Sequence, residues 1–374
     1  MLNSLAAALF AALLVAAAPA EARSFTEDLA ACKDGPDAKA RAEACAAAIE
    51  AGELEGEALA AAFAQYGMAL FDSGEHSRGL AAVTEAIRLN PEAGRYSFLR
   101  GVMHHQLSDC RNAQPDFDRA LALGENRAEA YLYRGECYGK DDALRALADF
   151  DMAVRLAPEL PDAHFGRAAA LAEIGRQADA LASAETGVSL APDKPEAYLR
   201  RGLIHHRGKN AALAKADLAQ ALTLDANFIP ALTALAEVTY AEGQLELALG
   251  YYDRILKIAP DNGGVLNNRC YLAAEIGKLD EALRDCDASI AIAAEDINLD
   301  SRGFVYLKRG DAEKALADFD AALKLNAKAP ASLYGRGIAR IRLGRTEEGR
   351  IDLGVANLLD PDIAGFYDKN GLKP

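Results

Sequence analysis

The feature that most constrains the fold is a period of 33 or 34 residues that runs through most of the chain. A small residue recurs at one position of each unit, at Gly67, Gly101, Gly135, Ala168, Gly202, Ala236, Cys270, Gly303 and Gly337. About twelve residues later most units have an alanine, usually followed at the fourth position by a bulky residue such as Phe117, Phe150, Tyr252 or Phe319. A fixed period of this length is typical of repeat proteins.

Within each unit, the hydrophobic pattern predicts two helices. Apolar residues at steps of three and four lie on both sides of a short polar turn, such as KRGD at 308–311. The small residue allows the two helices to approach closely, and the bulky residue of the second helix fills the space above it. One hairpin cannot bury its apolar faces alone, so neighbouring hairpins stack and the stack becomes the core. We therefore expect an all-α solenoid of about nine to ten hairpins.

The segment RGFVYLKRGDAEKALADFDAAL at 302–323 resembles the tetratricopeptide repeat family in the spacing of its Gly, Ala and Phe residues. The resemblance covers residues 60–363 and implies a right-handed α-solenoid. Residues 23–59 look like a divergent first hairpin, and 364–374 look like a capping helix that uses Ile363, Phe366 and Tyr367. Proteins of this family commonly act as interaction scaffolds, so the resemblance implies the same role here.

The amino terminus predicts export. Residues 1–22 contain a short apolar run and end in small residues, which is typical of a cleaved secretory signal peptide, although no Lys or Arg precedes the run as it does in most signal peptides. The alternative is a retained membrane anchor, but the apolar run is shorter than the roughly 20 residues that a spanning helix needs. We expect a periplasmic or secreted protein with no membrane span in the mature chain. The net charge of −15 argues against nucleic acid as a partner and against an anionic membrane surface.

Arginine and aspartate vary together between units. An arginine before the small residue is followed fifteen or sixteen positions later by an aspartate in Arg100/Asp116, Arg134/Asp149, Arg201/Asp217, Arg269/Asp285, Arg302/Asp318 and Arg336/Asp352. Tyr66 and Leu235 replace the arginine in two units that also lack the aspartate, and Arg167 with Ser183 is the exception. We interpret the pairs as ion pairs between the two helices of a hairpin. The alternative is a row of arginines that binds an acidic partner.

Six cysteines in an exported chain favour disulfides, although six allow fifteen connectivities. Cys270 has the small-residue position and Cys286 the bulky position of one hairpin, and these positions should touch. Cys32 and Cys45 are placed similarly in the first hairpin, which leaves Cys110 and Cys137 as a third pair by elimination and adjacency. The alternative is that some of them are buried thiols.

No motif predicts catalysis, a metal or a cofactor. The sequence lacks HExxH, CxxC, GxxxxGK[ST] and GxSxG. The doublets His104-His105 and His205-His206 lie three repeats apart, and adjacent residues of a helix point in different directions, so they should not share a metal ion. We expect His104 and His205 in the core and His105 and His206 on the surface of the first helices. A non-enzymatic protein is therefore predicted.

The repeat register also predicts a partner-binding surface on the first helices. It comprises Phe98, His105, Leu132, Phe165, Leu199, Leu203, His206, Tyr240, Asn267, Tyr271, Phe304 and Tyr334. An aromatic and apolar stripe of this length favours binding of a peptide or helix segment of another protein, here one of the cell envelope. The alternatives are burial of part of the stripe by superhelical winding or by the N-terminal segment, and a small-molecule or enzyme site assembled across the groove.

Overall fold

The computed structural model describes residues 24–374, which form α-helices joined by short turns, with no strand among them. They divide into two compact units, one ending at Ile174 and the other spanning Gly175–Pro374. The predicted signal segment 1–22 lies outside the described residues. Between residues 24 and 374, no helix combines the length and the apolar character that a membrane span requires.

The first unit contains four helical hairpins followed by one further helix. The helices are α1 (Phe25–Asp34), α2 (Ala38–Glu50), α3 (Gly56–Asp72), α4 (His76–Leu89), α5 (Gly94–Gln106), α6 (Cys110–Ala122), α7 (Ala128–Tyr138), α8 (Ala143–Leu156) and α9 (Pro161–Glu173). Helices α1 and α2 pack together in the segment predicted to be a divergent first hairpin. Each second helix also packs on the first helix of the next hairpin, so this unit has the stacked arrangement that the period predicts.

The second unit begins with a single helix, continues with five hairpins and closes with a short helix. The helices are α10 (Gln177–Leu190), α11 (Pro195–Arg207), α12 (Ala211–Leu224), α13 (Ile229–Ala241), α14 (Leu245–Ile258), α15 (Gly263–Glu275), α16 (Leu279–Ile292), α17 (Asp296–Arg309), α18 (Ala312–Leu325), α19 (Pro330–Arg342), α20 (Thr346–Leu359) and α21 (Ile363–Lys369). The boundary between the units falls between α9 and α10, inside the repeat around Ala168, and the period gives no sign of it.

The sequence sets many of the helix ends directly. Five second helices begin after an Asp or Asn whose side chain accepts a hydrogen bond from a backbone N–H of the first turn, namely Asp37, Asp109, Asp142, Asn210 and Asp311. Three first helices begin at a proline, whose fixed φ suits the first helical position. Gly310 ends α17 with a φ of 86°, a left-handed conformation that favours glycine. This conformation explains why the KRGD turn at 308–311 contains a glycine.

The predicted contact between a small and a bulky residue is confirmed in several hairpins. A Cβ atom added at Gly303 would lie 2.9 Å from the ring of Phe319, and one added at Gly101 would lie 2.9 Å from the ring of Phe117. Carbon atoms do not pack this closely, so only glycine permits the observed approach of these helices.

The six predicted Arg–Asp pairs also form, each through two nitrogens of the guanidinium, at donor–acceptor distances between 2.6 and 2.9 Å.

Several of these arginines make a second contact that the sequence analysis did not predict. The Nη1 atom of Arg302 donates to Asp287 of the preceding second helix at 2.8 Å, and that of Arg336 donates to Asp320 at 3.0 Å. One guanidinium therefore links the two helices of its own hairpin and also the hairpin before it. Because carboxylates of the same chain occupy these guanidinium groups, the alternative of an arginine row that binds an acidic partner loses its basis.

Candidate functional site

The first helices of successive hairpins share one surface within each unit, which we call the first-helix face. In the first unit, Phe98 is half-buried beneath the guanidinium of Arg127, whose central carbon lies 4.6 Å from the ring centroid. The half-buried His105 has its Nε2 atom 2.9 Å from a carboxylate oxygen of Glu136. Leu132 and Phe165 are buried, which corrects the prediction that a partner contacts them. Core packing rather than binding explains their apolar character.

In the second unit, part of the first-helix face is open to solvent. Leu203 on α11 is 41% exposed and Tyr240 on α13 is 39% exposed, while Leu199 and His206 are half-buried. Burial, followed by the nearby charge of Glu275, raises the pKa of the Tyr240 phenol to about 12. Leu203 and Tyr240 thus lie open on the first-helix face, and their role in binding stays a prediction.

The remaining predicted positions of the second unit are covered by the chain itself. Phe304 on α17 is 1% exposed and Tyr334 on α19 is 4% exposed, because α21 packs against α19 and its rings, Phe366 and Tyr367, cover the first-helix face there. The ring of Tyr367 stacks on Tyr334 at a centroid distance of 4.9 Å, and its hydroxyl donates to the carbonyl of Ala331 at 2.9 Å. The prediction that these aromatic residues are exposed to a partner is therefore wrong. The alternative that the N-terminal segment covers them is also wrong, because the C-terminal helix α21 covers them.

The half-buried Tyr271 joins this aromatic cluster. Its ring lies 5.1 Å from that of Phe304 and 6.1 Å from that of Phe366 on α21, both in stacked orientation. One turn earlier on α15, Asn267 is buried, which corrects its predicted role in binding, and its side-chain oxygen has no hydrogen-bond partner among residues 24–374. Two residues of the predicted cap, Phe366 and Tyr367, thus pack on the first-helix face.

A cleft of about 370 Å³ opens beside this cluster, between the first helices and α21. Its lining consists of Tyr271, Asp300, Phe304, Ala331, Asp360, Asp362, Ile363, Phe366 and Tyr367. Asp300 accepts a hydrogen bond from the hydroxyl of Ser332 at 2.5 Å. Burial raises the pKa of Asp300 to about 6, against the lowering effect of the Ser332 hydrogen bond and with a further rise from the charge of Asp296.

The histidine doublets form no metal centre in the described part of the chain. His205 is buried, as predicted, with Nε2 3.8 Å from a carboxylate oxygen of Asp217. His104 is mostly buried, and its Nδ1 atom lies 3.4 Å from Asp109. Among residues 24–374, no group of three or more His, Cys, Asp or Glu side chains is arranged to hold a metal ion.

The cysteines meet in the expected combinations. The Sγ atoms lie 1.97 Å apart in Cys32–Cys45, 2.23 Å apart in Cys110–Cys137 and 1.95 Å apart in Cys270–Cys286. The last pair replaces the glycine–aromatic contact of its hairpin, since both residues are fully buried at those two positions. Each pair is therefore placed to form a disulfide in an oxidising compartment.

Stacked hairpins with a repeated small-to-bulky contact define a helical repeat protein. A family model described as "Tetratricopeptide repeat" matches residues 67–109, 106–161 and 302–354, and a second model of the same description matches 195–228. The chain belongs to the tetratricopeptide repeat family. The crystal structure of yeast Tom70 has the same fold, with a TM-score of 0.52 and 12% identity over 93% of this chain and 96% of that chain.

Curated relatives resemble parts of the chain. The Hsp70-Hsp90 organizing protein of Triticum aestivum is 42% identical over 140 residues, which are 36% of this chain and 24% of that protein. Photosystem I assembly protein Ycf3 of Synechococcus sp. (strain WH7803) is 31% identical over 128 residues, which are 31% of this chain and 69% of that protein. This chain covers only 12 to 24% of the length of three of its relatives.

Proposed function

We propose that this protein is a non-enzymatic interaction scaffold, and that the first-helix face of the second unit binds a helical or extended segment of another protein. The observation that carries the proposal is the position of α21. This helix lies on the first-helix face through aromatic contacts, with Ile363 and Tyr367 buried beneath it. A surface that already holds one amphipathic helix of its own chain has the chemistry to hold another.

The open part of the same face lies next to the covered part. Tyr240 on α13 lies close enough to Glu275 and Tyr271 on α15 to interact with both electrostatically, so the exposed and covered aromatic residues adjoin each other. Aromatic side chains provide large contact areas at a low cost in conformational entropy and are enriched in binding hot spots. A partner segment would therefore bind beside α21, over Leu199, Leu203, His206 and Tyr240. The names of the two relatives, an organizing protein and an assembly protein, support action on other proteins.

We propose the periplasm or the extracellular space as the location, with the partner in the cell envelope. The apolar segment at 1–22 and the meeting of all six cysteines in three pairs support this location. Peptide mapping without reduction, on protein isolated from its native compartment, should recover Cys270 linked to Cys286. Recovery of both as free thiols would count against oxidation and hence against this location.

Site-specific photo-crosslinking in the native host tests the binding surface. A photoreactive phenylalanine analogue replaces Tyr240 or Leu203 on the first-helix face, and Leu213 on α12 serves as a matched control because it is 48% exposed on a second helix. The proposal predicts the same crosslinked protein at Tyr240 and Leu203 and none at Leu213. Tyr240→Ala should then weaken binding of that protein by about 1 kcal/mol or more.

Crosslinks at Leu213 alone would place the interaction on the second helices and would contradict the proposal. An equal yield at all three positions would indicate collision without a binding surface and would also contradict it. Circular dichroism of each variant establishes that the helical content is unchanged.

A further inference from the structure

The cleft beside α21 combines aromatic rings with carboxyl groups. The rings of Tyr271, Phe304 and Phe366 lie within 5.1 to 6.1 Å of one another, measured between centroids. The faces of aromatic rings attract cations through their quadrupole. Phe304 already has such a neighbour, since Nζ of Lys308 lies 5.7 Å from its centroid. A cluster of this kind suits an organic cation.

The charges of the cleft favour the same ligand. Asp300, Asp360 and Asp362 all line it, and Asp300 accepts a hydrogen bond from the Ser332 hydroxyl but forms no ion pair with a Lys, Arg or His among residues 24–374. No Lys, Arg or His lines the cleft, so an anionic ligand would meet three carboxyl groups without compensation. A bound cation would compensate the charge of the half-buried Asp300.

We propose that this cleft binds an organic ammonium group, that of an alkylamine or of a quaternary amine such as choline, placed against the half-buried rings of Tyr271 and Phe366 and paired in charge with Asp300. The ammonium group belongs either to a free amine or to a lysine side chain of a protein segment. The inference goes beyond the proposed scaffold function, because a free amine would occupy the cleft whether or not a protein binds the exposed face around Tyr240.

Proton binding at Asp300 gives the proposal a pH dependence. The pKa of Asp300 is raised to about 6, so the carboxylate that pairs with the ammonium group is lost as the pH falls below that value. Asp296, Tyr271 and Tyr367 interact electrostatically with Asp300, and Asp360 and Asp362 line the same cleft. Glu275 lies near Tyr271, and Lys308 lies over the ring of Phe304. Binding should therefore be several-fold weaker at pH 5 than at pH 7.5.

Isothermal titration calorimetry with the full chain tests the proposal in phosphate buffer, which contains no amine. The first probe is choline chloride, and its control is the neutral isostere 3,3-dimethylbutan-1-ol. The second probe is an acetylated, amidated pentapeptide with one lysine, and its control has norleucine at that position. The protein variants are Asp300→Asn and Phe366→Leu, with Asp261→Asn at an exposed turn as the matched loss of one charge.

We expect at least one cationic probe to bind at least tenfold more tightly than its neutral control. Preference for choline identifies a free amine as the ligand, and preference for the lysine peptide identifies a protein segment. Asp300→Asn and Phe366→Leu should each weaken binding at least tenfold, whereas Asp261→Asn should not. The proposal is overturned if neither cation binds, if the neutral controls bind equally well, or if Asp300→Asn leaves the affinity unchanged while circular dichroism shows a folded chain.

Discussion

Replacement of Asp300 by asparagine should stabilise the second unit at neutral pH. The raised pKa means that the folded protein binds a proton at Asp300 more readily than the unfolded chain does. The carboxyl group therefore contributes stability at low pH, and this contribution is lost as the pH rises through about 6. Asparagine has nearly the same shape, can still accept the hydrogen bond from Ser332, and carries no charge to bury.

The size of the effect follows from the shift in pKa. A rise from 3.8 to about 6 corresponds to at most about 3 kcal/mol, at 1.36 kcal/mol for each pH unit. Asp300 is only half-buried, so solvent screening reduces this figure, and we expect Asp300→Asn to stabilise the unit by about 1 to 2 kcal/mol above pH 7. Near pH 4 the difference between the variant and the natural chain should be close to zero.

Native-state hydrogen exchange measures the free energy of opening of α17 and α19 directly, at pH 4.5 and at pH 7.5 in buffers without amines. Asp261→Asn reports the general effect of removing one negative charge from an acidic chain. A stabilisation that is equal at the two pH values, or a loss of stability at pH 7.5, would contradict this prediction, because both exclude the half-buried carboxylate of Asp300 as the cause.

Two further predictions concern the hairpins. In a double-mutant cycle, Arg302→Ala and Asp318→Ala should show a coupling energy of about 1 kcal/mol or more in the free energy of unfolding, whereas simple additivity would mean that the pair is not stabilising. Gly303→Ala should destabilise α17 and α18 by about 1 to 3 kcal/mol, because its Cβ would lie 2.9 Å from the Phe319 ring. Gly250→Ala has open space around it and should stabilise α14 by about 0.5 to 1 kcal/mol. Equal effects of the two substitutions on the free energy of unfolding would contradict the packing of Gly303 against Phe319.

The repeated part of the fold could be predicted because one physical contact recurs in several units. Gly303 and Phe319 show it within a single hairpin, and the period repeats it along the chain. The pairing of Arg302 with Asp318 was also predictable, since the two residues vary together between units. The additional bond from Arg302 to Asp287 was not, because it depends on how one hairpin stacks on the next.

The candidate site was harder to predict for a related reason. The register places Tyr271 and Phe304 on the first-helix face, but it does not tell whether another segment covers them. The sequence around Phe366 indicates an amphipathic cap, yet its apolar side could pack on the last second helix or on the first-helix face. In the structure the apolar side of this cap packs on the first-helix face, while Leu358 on α20 remains 86% exposed. Only the tertiary structure distinguishes these two positions.

The central claim is that the first-helix face of the second unit binds a helical segment through aromatic contacts. The most direct test uses a chain that ends at Asp362 and a fluorescently labelled peptide of residues 363–374 added in trans, with binding followed by fluorescence anisotropy. We expect saturable one-to-one binding. Phe366→Ala in the peptide should weaken this binding at least tenfold, whereas Lys373→Ala, at an exposed position, should leave it unchanged. Absence of saturable binding to a truncated chain of normal helical content, or equal binding of the Phe366→Ala peptide, would contradict it.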